Sequence, residues 1–162
     1  MRRFITIAFA VLFTAYAALA QNIRLGERIP TIDIDATMGT HLDHIETEYV
    51  CLVFIHSSSR PCIEALEEFA VVADDIKQQM SVVLITPERH DDEKELLARF
   101  VDDNTSVAFD RDYKTFNAFG INFAPFGVIY DTKRCRAQWF GSIQQLDTAT
   151  LWQIMQQRQI KK

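Results

Sequence analysis

Three cysteines, four histidines and a run of hydroxyls carry most of the chemistry open to this 162-residue chain. The densest group is His56-Ser57-Ser58-Ser59-Arg60-Pro61-Cys62, which follows an uninterrupted apolar run from Tyr49 to Ile55. A thiol at Cys62, near the start of a helix, could be poised as a thiolate, because the oriented N–H groups of a helix terminus favour negative charge. It could equally be a small buried apolar residue, the commoner state of a free cysteine, and burial is the expectation here. Ser59 with His56 three residues earlier could form a nucleophile–base pair. A hydrolase also needs an acid to orient the histidine, and none is evident nearby. Ser59 is expected to cap the helix instead. Arg60 either attracts an anionic group or is solvated, and solvation is expected. His41, Asp43 and His44 are of metal-ligand type, but their local spacing fits a polar loop better than a metal site. The odd cysteine count leaves at least one thiol unpaired within the chain.

These residues need a frame. Tyr49 to Ile55 and Ser81 to Thr86 read as strands buried on both faces, as in a parallel or mixed sheet. Between them Ile63, Leu66, Phe69, Ala70, Ala73 and Ile76 recur at helical spacing. Ile32 and Ile34 alternate with Asp33 and Asp35, a weaker strand signal. Asp91 to Phe100 reads as a helix with acids at its start and Arg99 near its end. Val107 to Phe109 is a short strand, and Tyr113 to Phe119 a short helix stopped by Gly120. Phe126 to Tyr130 turns at Asp131-Thr132-Lys133-Arg134 into Cys135 to Phe140, a β-hairpin, and Thr148 to Ile160 closes the chain as a helix. The pattern implies one α/β domain with a mixed sheet. A Cys51–Cys135 disulfide would span about 10 Å on that arrangement, too far for a bridge.

Hydrophobic residues make up 48% and charged residues 24%, the balance of a globular domain. A net charge of -5 lacks the basic footprint of a nucleic-acid binder. Arg2 and Arg3 precede an uncharged stretch, Phe4 to Ala20, that ends Ala18-Leu19-Ala20 before Gln21. This reads as a signal peptide over residues 1–20, with residues 21–162 as the mature domain. Its loss removes two arginines and no acid, so the mature net charge becomes -7. Export implies an oxidising compartment, the periplasm if the source is a Gram-negative bacterium. A membrane role arises only if the segment stays uncleaved.

Several motifs in order resemble the thioredoxin-like superfamily, in the style of its exported redoxins. They are Leu25-Gly26-Glu27-Arg28-Ile29-Pro30, the strand–turn–helix Leu52 to Glu68, the strand Val82 to Thr86, Phe119-Gly120-Ile121-Asn122-Phe123-Ala124-Pro125, the hairpin ending at Gly141 and the last helix. The resemblance covers roughly residues 24 to 158 and implies an α/β thioredoxin-like fold, a central mixed β-sheet flanked by helices. The family's redox site is a C-x-x-C at a helix start, where the first sulfur attacks and the second resolves the mixed disulfide. Here the motif is Ser59-Arg60-Pro61-Cys62. An oxygen at the attacking position cannot form the S–S bond, so the two-thiol cycle is excluded, and a peroxiredoxin activity loses its nucleophile too. Ser58 stands where the family commonly has an aromatic, and Val53 where thioredoxins carry a buried acid. Glu64, though close in sequence, belongs to another side of the helix.

The resemblance also implies a cis proline facing the motif, and Ala124-Pro125 fits that place. The residue before such a proline pairs its backbone with extended peptide. Phe123 and Phe126 flank it, as an exposed rim or as ordinary core, with core expected. The resulting expectation is an exported thioredoxin-fold protein that binds a peptide or protein thiol client through Ser59, Arg60, Pro61, Ala124 and Pro125. One alternative is a monothiol disulfide oxidoreductase whose catalytic residue is Cys62. Another is a structural subunit of an envelope complex. No cofactor or metal is called for.

Overall fold

β-Branched and aromatic runs supply the strands, as their fit to a pleated surface predicts. In the computed structural model, which describes residues 22–156, the strands are β1 Ala36–Met38, β2 Tyr49–Phe54, β3 Met80–Thr86, β4 Thr105–Phe109, β5 Phe126–Asp131 and β6 Arg136–Gly141. The helices are α1 Arg60–Asp74, α2 His90–Ala98, α3 Lys114–Phe119 and α4 Thr148–Gln156. The strands form one mixed sheet in the order β1-β4-β3-β2-β5-β6. β2 is parallel to β3, and β3 to β4, through the α1 and α2 crossovers. β1 is antiparallel to β4, and the β5–β6 hairpin is added antiparallel to β2. The mixed sheet flanked by helices is the fold class expected from the sequence. The proposed signal segment, residues 1–20, and the expected helical residues 157–160 lie outside the described residues.

β2 and β3 are buried at every position. Successive strand side chains point to opposite faces, so one strand feeds two cores. Tyr49, Cys51, Val53 and Ile55 pack with Leu66 and Phe69 of α1, Leu97 of α2 and Leu151 of α4. Val50, Leu52 and Phe54 pack on the opposite face with Phe116 and Phe119 of α3. The buried side of α1 is Cys62, Ala65, Leu66, Phe69 and Ala73. Ala70, expected in that stripe, is exposed, and Ile63 is only half-buried. The helix is rotated so that the Cys62–Phe69 side meets the sheet.

Three expectations are corrected. The strand expected at Ile32 and Ile34 forms instead at Ala36–Met38. Asp33 has no strand partner because Thr115 takes its place: the Asp33 N–H donates to Thr115 Oγ1 at 2.9 Å, and that hydroxyl donates to Asp33 O at 2.7 Å. Ile32 and Ile34 pack against the α3-side core. Cys135, expected to open the second hairpin strand, lies in the turn with a left-handed φ of 52°. Its N–H closes the turn on Asp131 O at 2.9 Å. Cys51, Cys62 and Cys135 are all free thiols. The third correction concerns the role of Ser59 and belongs to the site.

Candidate functional site at the β2–α1 turn

The register of the sheet brings the motif and the proline loop to one edge. Phe54 pairs with Phe126 across the antiparallel β2–β5 ladder. The chain leaving β2 therefore runs out beside the chain entering β5, which puts His56–Cys62 and Ala124–Pro125 at the same end. Phe54 also pairs with Ile85, so the segment after β3 reaches that end as well. The Ala124–Pro125 peptide bond is cis. Ala124 packs against the core that contains Cys62.

Ser59 occupies the N-cap position of α1 with extended backbone, φ -92° and ψ 111°. Its side chain makes no capping hydrogen bond, contrary to expectation. Pro61 in the first turn has no N–H to donate to the Ser59 hydroxyl, which removes a partner that the cap would ordinarily use. The Ser59 main chain is nonetheless fixed: its N–H donates to His56 O at 3.0 Å, and its carbonyl accepts from Ile63 N at 3.1 Å. Arg60 is exposed and pairs with Glu64 one turn on, Nε to Oε1 at 2.7 Å. Solvation of Arg60 is thus as expected, with Glu64 as its neighbour on the outer face. Pro61 is exposed, whereas Cys62 is 1% exposed.

Phe123 and Phe126 divide the two readings between them. Phe126 is core at 1% exposure, while Phe123 is 50% exposed and stacks edge-on against it with ring centroids 5.0 Å apart. Val53, where thioredoxins carry a buried acid, is fully buried among apolar neighbours. Cys51 lies deep in β2, and burial pushes its thiol pKa well above the ordinary range.

Glu88 was missed in the sequence. Its carboxylate Oε1 stands 3.5 Å from His56 Nδ1, so the acid judged absent beside His56 is present. The same carboxylate accepts from Ser58 Oγ at 3.3 Å and from the Thr86 hydroxyl. Burial alone would raise the Glu88 pKa. The Thr86 hydroxyl, the backbone N–H groups of Glu88 and Ser57, and the charge of His56 together hold it below the usual carboxylate range. Ser58, not Ser59, is the serine engaged, and it binds the acid rather than the imidazole. This is not the serine–base relay of a hydrolase, which needs the hydroxyl on the ring. The lone signal in the sequence was the placement of Glu88 just after a buried strand, where α/β sheets build their sites.

Elsewhere, His41 Nδ1 lies 3.4 Å from Asp43 Oδ2, and its ring meets that of His44 edge-on at 6.2 Å. Among the described residues no group of three His, Cys, Asp or Glu side chains could hold a metal ion. Among them, too, no helix is long and apolar enough to cross a membrane.

A β2–α1–β3–α2–β4 unit, an added antiparallel hairpin, and a cis proline at the hairpin's entry beside the first residues of α1 define a thioredoxin-like fold. Solved structures carry the same comparison. A protein from Chlorobium tepidum assigned as a thiol:disulfide interchange protein, DsbE, superposes with a TM-score of 0.63 at 20% identity, over 82% of this chain and 96% of that one. A thioredoxin-like protein from Aeropyrum pernix gives 0.54 at 14% identity, over 73% and 82%. The exposed lipoprotein thioredoxin of Streptococcus pneumoniae gives 0.55 at 17%, over 69% and 86%. These likenesses establish the fold. No protein-family model matches the chain, and no curated protein matches it in sequence.

Proposed function

We propose that this chain is an exported thioredoxin-fold protein that binds an extended peptide or a protein client without carrying out dithiol exchange. The observation that carries the reading is the Ser59–Cys62 motif: an oxygen at the half-buried first position and a sulfur 1% exposed at the second. An oxygen cannot enter a disulfide, and a shielded thiol reacts slowly. The Ala124 backbone beside the cis proline and the exposed ring of Phe123 support a docking role, since an extended peptide can pair with free backbone and anchor an apolar side chain beside it. Export rests on the charge and apolar pattern of residues 1–20, and a thiol-bearing client would fit an oxidising compartment.

The monothiol alternative assigns Cys62 a mixed disulfide with a client thiol. Its burial counts against that role. A photo-crosslinking amino acid at position 123, in the full chain expressed in its own exporting host, separates the two. Docking predicts discrete adducts at position 123 that persist when Cys62→Ala is added, and none from the same probe at Val71, exposed on the outer side of α1. Adducts that vanish with Cys62→Ala favour the monothiol reading. No adduct at position 123 removes the docking reading.

A further inference from the structure

Glu88 sits two residues beyond the end of β3, yet two hydroxyl donors and an imidazole from two elements converge on its carboxylate. Thr86 donates from its own strand end. The Ser57 N–H, the Ser58 hydroxyl and the His56 ring come from the β2–α1 turn. The Glu88 side chain is 18% exposed, so its carboxylate is largely withdrawn from solvent, while the Ser58 and His56 groups that reach it lie nearer the surface. A carboxylate in this position braces the turn that carries Ser59 against the neighbouring strand. The brace joins a turn that is otherwise closed on itself by the Ser59 N–H to His56 O bond.

We propose that Glu88 is the positioning residue of the docking face: its ionised carboxylate holds His56–Ser59 in the shape that presents Ser59 and Arg60, and its protonation releases the turn. The proposal takes its purpose from the docking reading, but its geometry stands on the Thr86, Ser58 and His56 contacts alone. Among the described residues, His56 is the one titratable side chain shown pairing with it from the turn. The other face of the His56 ring is set by Phe116 of α3, centroids 5.7 Å apart, which is neutral. Arg60 is engaged with Glu64, and Arg89, next in the chain, is exposed. A protonated Glu88 keeps two oxygens but loses the charge that makes its hydrogen bonds strong, and its own proton competes for an acceptor.

The test is amide NMR on the full mature chain between pH 7 and pH 3, with hydrogen exchange at neutral pH. In the wild type the amide signals of Ser57, Ser58 and Ser59 should shift together with one acidic midpoint, below that of an ordinary glutamate, while those of Cys51–Phe54 stay still. Glu88→Gln should abolish that inflection and speed exchange at the three serines about tenfold, the loss expected for charged hydrogen bonds. Glu88→Asp, which keeps the charge, should restore part of the protection. A wild-type turn with no acidic inflection, or unchanged serine exchange in Glu88→Gln, overturns the proposal. An acidic inflection of equal size at Cys51–Phe54 overturns it too, because Glu88 would then act on the whole sheet rather than the turn. The wild-type titration remains decisive should Glu88→Gln not fold. The measurement needs no client, so failure to crosslink at position 123 with the inflection present would count against the docking reading alone.

Discussion

Ser57 offers the plainest residue-scale prediction near the motif. Its hydroxyl is buried and has no hydrogen-bond partner among the described residues, while its backbone N–H favours the ionised Glu88. A buried unpaired hydroxyl carries a desolvation cost, so Ser57→Ala should raise stability by about 1 kcal/mol in urea unfolding. A loss of stability would mean that the hydroxyl has a partner after all. The sequence made Ser59, Arg60, Pro61 and Cys62 conspicuous because they are contiguous and follow a buried run. It did not make Glu88 conspicuous, because that acid reaches His56 only through the parallel β2–β3 register, in which Phe54 meets Ile85. The cap role expected of Ser59 failed for a related reason. Residue type chose the position correctly, but the prolyl nitrogen beside it left the hydroxyl without a usual donor.

At the scale of elements, the β5–β6 hairpin holds the proline loop in place, and Gly127 is its tightest point. A Cβ built there would meet Ile143 Cγ2 at 2.9 Å and Trp139 Cζ3 at 3.1 Å, both side chains packed in or against the core. Gly127→Ala should therefore cost about 2 kcal/mol, the range for overpacking, and should broaden the NMR signals of Phe123 and Ala124 before those of α1. An unchanged midpoint would show that Trp139 has room to move. The strands, the crossover helices and the hairpin were legible because their periodicity is strong. β1 was not, since Ile32 and Ile34 alternate well but Thr115 takes the Asp33 backbone groups that a strand partner would need. The rotation of α1 was also hidden: Ala70 fits the stripe by spacing and loses its place to Cys62 and Ala65.

Over the whole molecule, two carboxylates with opposite shifts shape the dependence of stability on pH. Glu88 has a lowered pKa, so its contribution is present above the unfolded value and is lost as pH falls through the folded one. Asp110 is raised, first by burial and also by the nearby charge of Asp35, against the N–H groups of Phe116, Thr115 and Lys114. It binds its proton more tightly when folded, so it gains stability as pH falls and weighs against the fold at neutrality. Urea unfolding from pH 7 to pH 3 should show Glu88→Gln less stable than wild type at neutrality, with the gap closing toward acid. Asp110→Asn should be at least as stable as wild type at neutrality, and should lose that advantage below the folded pKa. The reverse order would refute the assigned directions.

The claim on which the account turns is that this thioredoxin-like scaffold presents an oxygen where disulfide exchange requires a sulfur. The direct measurement is catalysed reduction of insulin disulfides under excess dithiothreitol, with wild type, Ser59→Cys and Cys62→Ala compared. The account predicts that wild type and Cys62→Ala both run at the uncatalysed rate, and that Ser59→Cys, which restores the two-thiol spacing on the same helix start, turns over repeatedly. Sustained turnover by the wild type that disappears in Cys62→Ala would contradict it.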